Sequence, residues 1–321
     1  MQRRTALSAL GVFACTGTTR AQASYPSRPI QVIAPASAGG VSDIAGRIYA
    51  DRLSKILGQP VTIVNRPGAG TVIGTQVVAT AAPDGYTLLV TNSAHSITQF
   101  VQPSLPYDPL KDFVGIAMIA DAPAVVAIAS TTGIKSLKEL ITLAKAKPRT
   151  FDYSSAGVGS TTHLAGAHFC AKAKVEMVHV PYKDYAQATA DFVSGRVPVI
   201  FAPAGYLLPL VRVGRVTPLG VSTGEDMTQP FEAPSVFKTT GIDYEYTTWY
   251  GFLAPAKTPR PVLDVLAKAF AEASKDPELR ATLLKQGVFP KSMLMGDFDM
   301  AMRAEVDKVR PLISASDIKT N

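Results

Sequence analysis

Ile30-Gln-Val-Ile-Ala-Pro-Ala-Ser-Ala-Gly-Gly-Val-Ser-Asp-Ile-Ala-Gly-Arg47 decides the fold, because it passes from strand through a glycine turn into a helix. Ile30, Val32 and Ile33 supply an apolar strand. Gly39 and Gly40 let the backbone turn tightly and come close to whatever sits above it. Ser42 or Asp43 can cap a helix with Ile44, Ile48, Leu53, Ile56 and Leu57 on one side. A helix start behind such a turn offers unpaired backbone N–H groups and a positive dipole end, which suits an anion. The same segment also serves as a plain strand-to-helix turn. A second unit of this kind stands in mid-chain, where Ser160 can cap a helix running through His163 to Lys172.

The first 23 residues have the pattern of a secretory signal. Arg3 and Arg4 give a positive start, Ala6–Cys15 is a short apolar run, and Ala21-Gln22-Ala23 is a cleavage site. That run is too short to span a bilayer. The pattern predicts a periplasmic protein of 298 residues after cleavage, enough for two domains. Its loss would take the net charge from +7 to +4. Lys135, Lys138, Lys145, Lys147 and Arg149 form the densest basic group and are expected on a solvated helical face. No nucleic-acid partner is expected, whereas weak attraction of small anions is. Cys170 would be the remaining cysteine, which leaves no disulfide framework and no cysteine-based zinc site.

Strand-like runs alternate with helical patterns: 31–34, 61–64, 87–91, 125–129, 152–154, 177–180, 197–201, 218–221 and 250–253 are the strand candidates. Ser136-Leu-Lys-Glu139 is a capping box, and Pro261 and Asp276-Pro277 open further helices. Such alternation predicts an α/β fold with mainly parallel sheets. No flexible linker is visible, so two lobes would be joined by short crossings, placed near Asp121–Val125 and Val221–Asp226. Residues 24–123 with 225–321 would form one lobe and 124–224 the other, leaving a cleft at the carboxyl ends of their strands.

These residues resemble a known family, the Bug receptors: periplasmic solute-binding proteins of tripartite tricarboxylate transporters. The resemblance is carried by Tyr25-Pro-Ser-Arg-Pro-Ile30, Gly39-Gly-Val-Ser-Asp43 with Arg47, Asn65-Arg-Pro-Gly-Ala-Gly70 and Pro83-Asp-Gly-Tyr86. It continues through Tyr153-Ser-Ser-Ala-Gly-Val-Gly-Ser160, His163-Leu-Ala-Gly166, Val178-His-Val-Pro-Tyr-Lys183 and Trp249-Tyr-Gly-Phe-Leu-Ala-Pro255. It implies a two-lobed type II periplasmic-binding-protein fold that closes on a small carboxylate and passes it to integral-membrane transporter subunits. Carried over by residue, the carboxylate site would fall on Ser37, Ala38, Gly39, Gly40 and Asp43, and on Ser155, Gly157, Gly159, Ser160, Thr161 and His163. A monomeric, non-enzymatic receptor without cofactor or metal is implied.

Departures from the family pattern bear on the ligand. Ala36 stands where the family usually has Phe, Ala167 where a Glu is common, Asp184 in place of a Gly, and Ala202 in place of a frequent acidic residue. Loss of that last carboxylate argues against an amino acid and leans toward a di- or tricarboxylate or an aromatic acid. Asp184 could restore the charge or cap the helix through Phe192. Asn92 and Ser93 follow a strand and are either cleft residues or a capped turn. Trp249 is either core or a surface for stacking a planar acid, and His163 either packs at its helix start or meets the ligand. Gly68-Ala-Gly70 with Gly74 imitates a dinucleotide fingerprint, but Ile73 occupies the third glycine's place and the segment reads as a turn. His95, His163, His168 and His179 show no metal-binding spacing. Nothing positive supports Ser155 or Ser160 as a hydrolase nucleophile.

Overall fold

The apolar run Ile30–Ala34 forms strand β1, and the helix behind it is α1 (Val41–Leu57). A computed structural model of the chain describes residues 25–102, 104–183 and 185–315. The predicted signal segment and Asp184 lie outside these. The other strands are β2 (Val61–Asn65), β3 (Thr87–Asn92), β4 (Phe113–Ala129), β5 (Asp152–Ser155), β6 (Val178–Pro181), β7 (Val199–Pro203), β8 (Val216–Val221), β9 (Thr247–Pro255) and β10 (Phe289–Leu294). Between them run α2 (Val72–Ala79), α3 (Ala94–Val101), α4 (Leu137–Ala146), α5 (Thr161–Ala173), α6 (Tyr185–Ser194), α7 (Ala204–Arg212) and α8 (Val236–Thr240). The chain closes with α9 (Arg260–Ala273), α10 (Pro277–Lys285) and α11 (Met295–Ala315).

The strands lie in the order β2-β1-β3-β9-β4-β7-β5-β6, with β8 and β10 also paired to β4. Parallel ladders form the two flanks, β1 with β2 and β3, and β5 with β6 and β7. The centre is antiparallel, so the sheet is mixed rather than mainly parallel. The reason is β4. Its 17 residues are too long for one lobe. Residues 113–123 pair with β9, and 124–129 with β7 and β8. One strand therefore serves two cores.

Tyr49, Phe252 and Phe270 pack together on the first side. Tyr153, Phe169, Phe201 and Tyr244 do so on the second. Burying each such ring is worth about 1.5–3 kcal/mol. Val236, Tyr244 and Tyr246 belong to the second core. The return crossing placed by sequence at Val221–Asp226 thus falls at Tyr246–Thr247, where Thr247 begins to pair with Pro123. Ala124 N–H there reaches both Tyr246 O and Ser222 Oγ, at 3.0 and 2.9 Å, and ties the crossings side by side.

Candidate functional site

The first turn is held by a buried carboxylate. Asp43, 3 % exposed, accepts from Gly39 N–H at 2.9 Å, Arg47 Nε at 3.0 Å and Asn65 Nδ2 at 2.9 Å. Asn65 also donates to Ala36 O, so both ends of the turn hang on one network. Those donors, with the Arg47 charge, outweigh desolvation and hold the Asp43 carboxyl below its ordinary value. Asp43 is therefore a brace of the loop. Gly40 precedes α1 with no side chain to cap it, which leaves first-turn N–H groups open to a ligand. Ser37, Ala38 and Gly39 are exposed, Ala36 and Gly40 half-buried.

Asn92 and Ser93 end β3 nearby. Asn92 Nδ2 donates to Ser42 Oγ at 3.3 Å and its Oδ1 accepts from Ala94 N–H at 2.9 Å, linking the start of α3 to the start of α1. Ser93 is fully buried, and its Oγ accepts from Trp249 N–H at 3.0 Å. Trp249, 5 % exposed, packs edge-on against Phe298 inside the core, and its Nε1 donates to Glu305. The stacking role that sequence allowed for Trp249 is not what the structure gives it, and Ser93 is likewise committed to the fold.

The second turn follows β5. Gly157 and Gly159 have φ of +113° and +75°, a region that favours glycine. Ser160 caps α5, its Oγ accepting from His163 N–H at 3.3 Å and donating to Gly157 O at 2.7 Å. Thr161, buried, begins the helix, and Thr162 Oγ1 accepts from Ala156 N–H. His163 Nδ1 accepts from Gly159 N–H at 3.0 Å, and its ring stacks on His179 at 3.6 Å. Ser155 Oγ lies 2.6 Å from His179 Nε2. Burial drives His163 to about 4 and His179 to about 3, the latter helped by its stacked neighbour, so both rings are neutral at pH 7. His163 is packing rather than a surface group. Ser155, with no exposure, is held from below by His179 and Gly157. In this loop Val158 is exposed and Ala156, Gly157 and Ser160 are half-buried.

Both turns flank α3. The first joins its start through Asn92, and a Cβ on Gly159 would stand 2.6 Å from Val101 at its end. With eight helical residues, α3 itself is about 12 Å long. A third helix start comes from α7, whose N-cap Pro203 follows the buried Ala202 and makes no side-chain cap. Gly205 on its first turn lies against Gln286 O and near Val41 of α1. Sequence reading singled out Ala202 there but not the packing of Gly205, which only the fold reveals. Among the described residues no three His, Cys, Asp or Glu side chains group as metal ligands would.

A separate groove of about 380 Å³ runs along the flank of α1 against α10, lined by Arg47, Arg52, Lys55, Asp276 and Thr282 among others. Its charges are paired, Arg52 with Asp276 at 2.9 Å and Arg47 with Asp43 of the first turn, and it is open to solvent.

Residues 45–318 match the model of the tripartite tricarboxylate transporter family receptor. Protein BugT of Bordetella pertussis is 31 % identical over 88 % of this chain and 89 % of its own. A Rhodopseudomonas palustris protein solved with adipate superimposes with a TM-score of 0.85, at 28 % identity, covering 90 % of this chain and 97 % of that one. MatC from the same organism, with bound malate, gives 0.75 at 26 %, over 91 % and 98 %.

Proposed function

The chain belongs to the tripartite tricarboxylate transporter receptor family, whose members are solute-binding receptors and not enzymes, and we propose that its own ligand is a short-chain dicarboxylate. One observation carries this reading. Two accessible glycine-serine turns, each opening a helix with N–H groups to spare, stand at opposite ends of α3. A diacid hydrogen-bonded at both ends suits a span of about 12 Å. The positive helix ends add charge complementarity at each carboxylate. Adipate and malate on the two relatives support the same class.

The ligand touches both halves of the molecule only when these are close, so binding favours the closed arrangement. The loaded receptor then delivers the diacid from the periplasm to integral-membrane transporter subunits. Ser37–Gly40, Asn92, Gly157 and Ser160 make the contacts, while Asp43, Ser155, Thr161 and His163 hold them in place. Ala36 and Ala202 leave room beside the carboxylates. Thermal unfolding of the mature protein against adipate, malate, citrate, benzoate and glutamate tests the proposal. The diacids are expected to raise the melting temperature increasingly with concentration. A folded protein that responds to none of the five at millimolar concentration would overturn it.

A further inference from the structure

Glu305 on α11 is a half-buried acidic group that the ligand site does not use. Its carboxylate accepts from the Trp249 indole N–H and from the Ser93 hydroxyl. Ser93 in turn accepts from the Trp249 backbone N–H at 3.0 Å, and its own N–H donates to Trp249 O at 3.2 Å. The result is a closed ring of hydrogen bonds around Trp249. That residue sits two positions past the crossing at Thr247 and pairs with Asp121 on the shared strand β4. Ser93 heads α3, the helix both candidate turns flank, and α11 carries Val309 and Ile313 onward into the second core. Glu305 therefore fastens the C-terminal helix, the crossing strand and α3 at one point.

We propose that Glu305 is a positioning residue for the hinge: its carboxyl group clasps Trp249 and Ser93 at the crossing, and its ionisation loosens that clasp and shifts the balance between open and closed lobes. This rests on the two-lobed receptor reading above. A protonated carboxyl still accepts both bonds, whereas ionising it leaves a charge shielded from water, a cost that outweighs the extra strength the charge gives the two bonds. Burial raises the carboxyl to about 7, against the pull of its two donors and of Lys308 one turn along the same helix. On the elements packed against α11, His168 of α5 faces Lys172, Lys308 and Asp243, and Asp121 of β4 is paired with Lys291.

Trp249 is the chain's single tryptophan, so its emission reports the clasp directly. The test uses ligand-free mature protein between pH 5 and 9. Emission is followed together with the distance between spin labels at Lys55→Cys on α1 and Lys145→Cys on α4, in a Cys170→Ala background. We expect both signals to titrate with a common midpoint near pH 7 and to lie flat in Glu305→Gln. An interlobe distance that does not move across this range, or that still moves in Glu305→Gln, would overturn the proposal. Should Glu305→Gln fail to fold, Trp249→Phe carries the test: losing one donor to the carboxylate must move the distance midpoint to higher pH. An unmoved midpoint would overturn it. Because no ligand is present, a pH-driven distance change in a protein that binds no diacid retains the clasp and removes the receptor reading. Diacid binding without any pH-driven change does the reverse.

Discussion

Gly205→Ala separates closure from stability. Gly205 lies in the first turn of α7 with ordinary helical backbone, so alanine meets no conformational penalty there. The obstacle is across the gap: the new Cβ would stand 2.4 Å from the Gln286 carbonyl oxygen, beyond the end of α10. That oxygen belongs to backbone and cannot swing aside, so the two halves must part by about 1 Å or the contact must strain. Overpacking of this size costs about 1–3 kcal/mol. On the proposed reading this contact forms when the halves close, so the cost falls on the closed arrangement and diacid affinity should drop roughly 5- to 150-fold, at about 1.4 kcal/mol per tenfold. The ligand-free fold should keep its melting temperature or gain slightly, since replacing glycine lowers the entropy of the unfolded chain by about 0.4–1 kcal/mol. Titration calorimetry with adipate and thermal unfolding read the two effects apart. Affinity within twofold of the unsubstituted protein would rule out a closure contact at Gly205, as would a large loss of stability with binding intact.

Asp43→Ala removes three hydrogen bonds to a buried carboxylate. Discounting the half-exposed Arg47, this should cost about 3 kcal/mol and roughly 5–10 °C in melting temperature. A shift under 1 °C by circular dichroism would contradict the bracing role. Ser160→Ala deletes the cap of α5 and should cost about 1 kcal/mol in denaturant unfolding while weakening diacid binding; equal stability would argue against the cap. His163 and His179 are held neutral below the ordinary histidine value, so their contribution is complete above pH 6.5 and lost as pH falls toward about 4 and about 3. Glu305 acts oppositely, its contribution being present below pH 4.5 and lost as pH rises through about 7. The histidine share is therefore read as a difference: unfolding free energies between pH 7 and 4.5 should fall less in His179→Asn than in the unsubstituted chain, and parallel curves would refute the assignment.

Local pattern carried much of this fold. The strand at Ile30–Ala34 and the capping box Ser136–Glu139 are visible because period and capping chemistry are local properties. The first half of β4 was not legible: Asp121 and Pro123 break the apolar run, and only pairing with β9, joined at Asp121 by β10 on the other side, keeps them in a strand. β10 escaped because Pro290, Lys291 and Ser292 look like loop until they lie beside β4. At the site, the two glycine turns declared themselves through residue type. The reach of Glu305 to Trp249, of His179 to Ser155 and of Gly205 to Gln286 joins residues from separate parts of the chain. No spacing in the sequence encodes those partners, so Trp249 and Ser93 stood open as ligand contacts until their real partners were seen.

The proposed grip of one diacid by two turns from opposite halves is open to direct test. Selective ¹⁵N-glycine labelling resolves this in a single titration with adipate. The amide signals of Gly39 and Gly40 are expected to move together with those of Gly157 and Gly159, saturating at the same concentration. Binding that moves only one of the two turns, or neither, would contradict it.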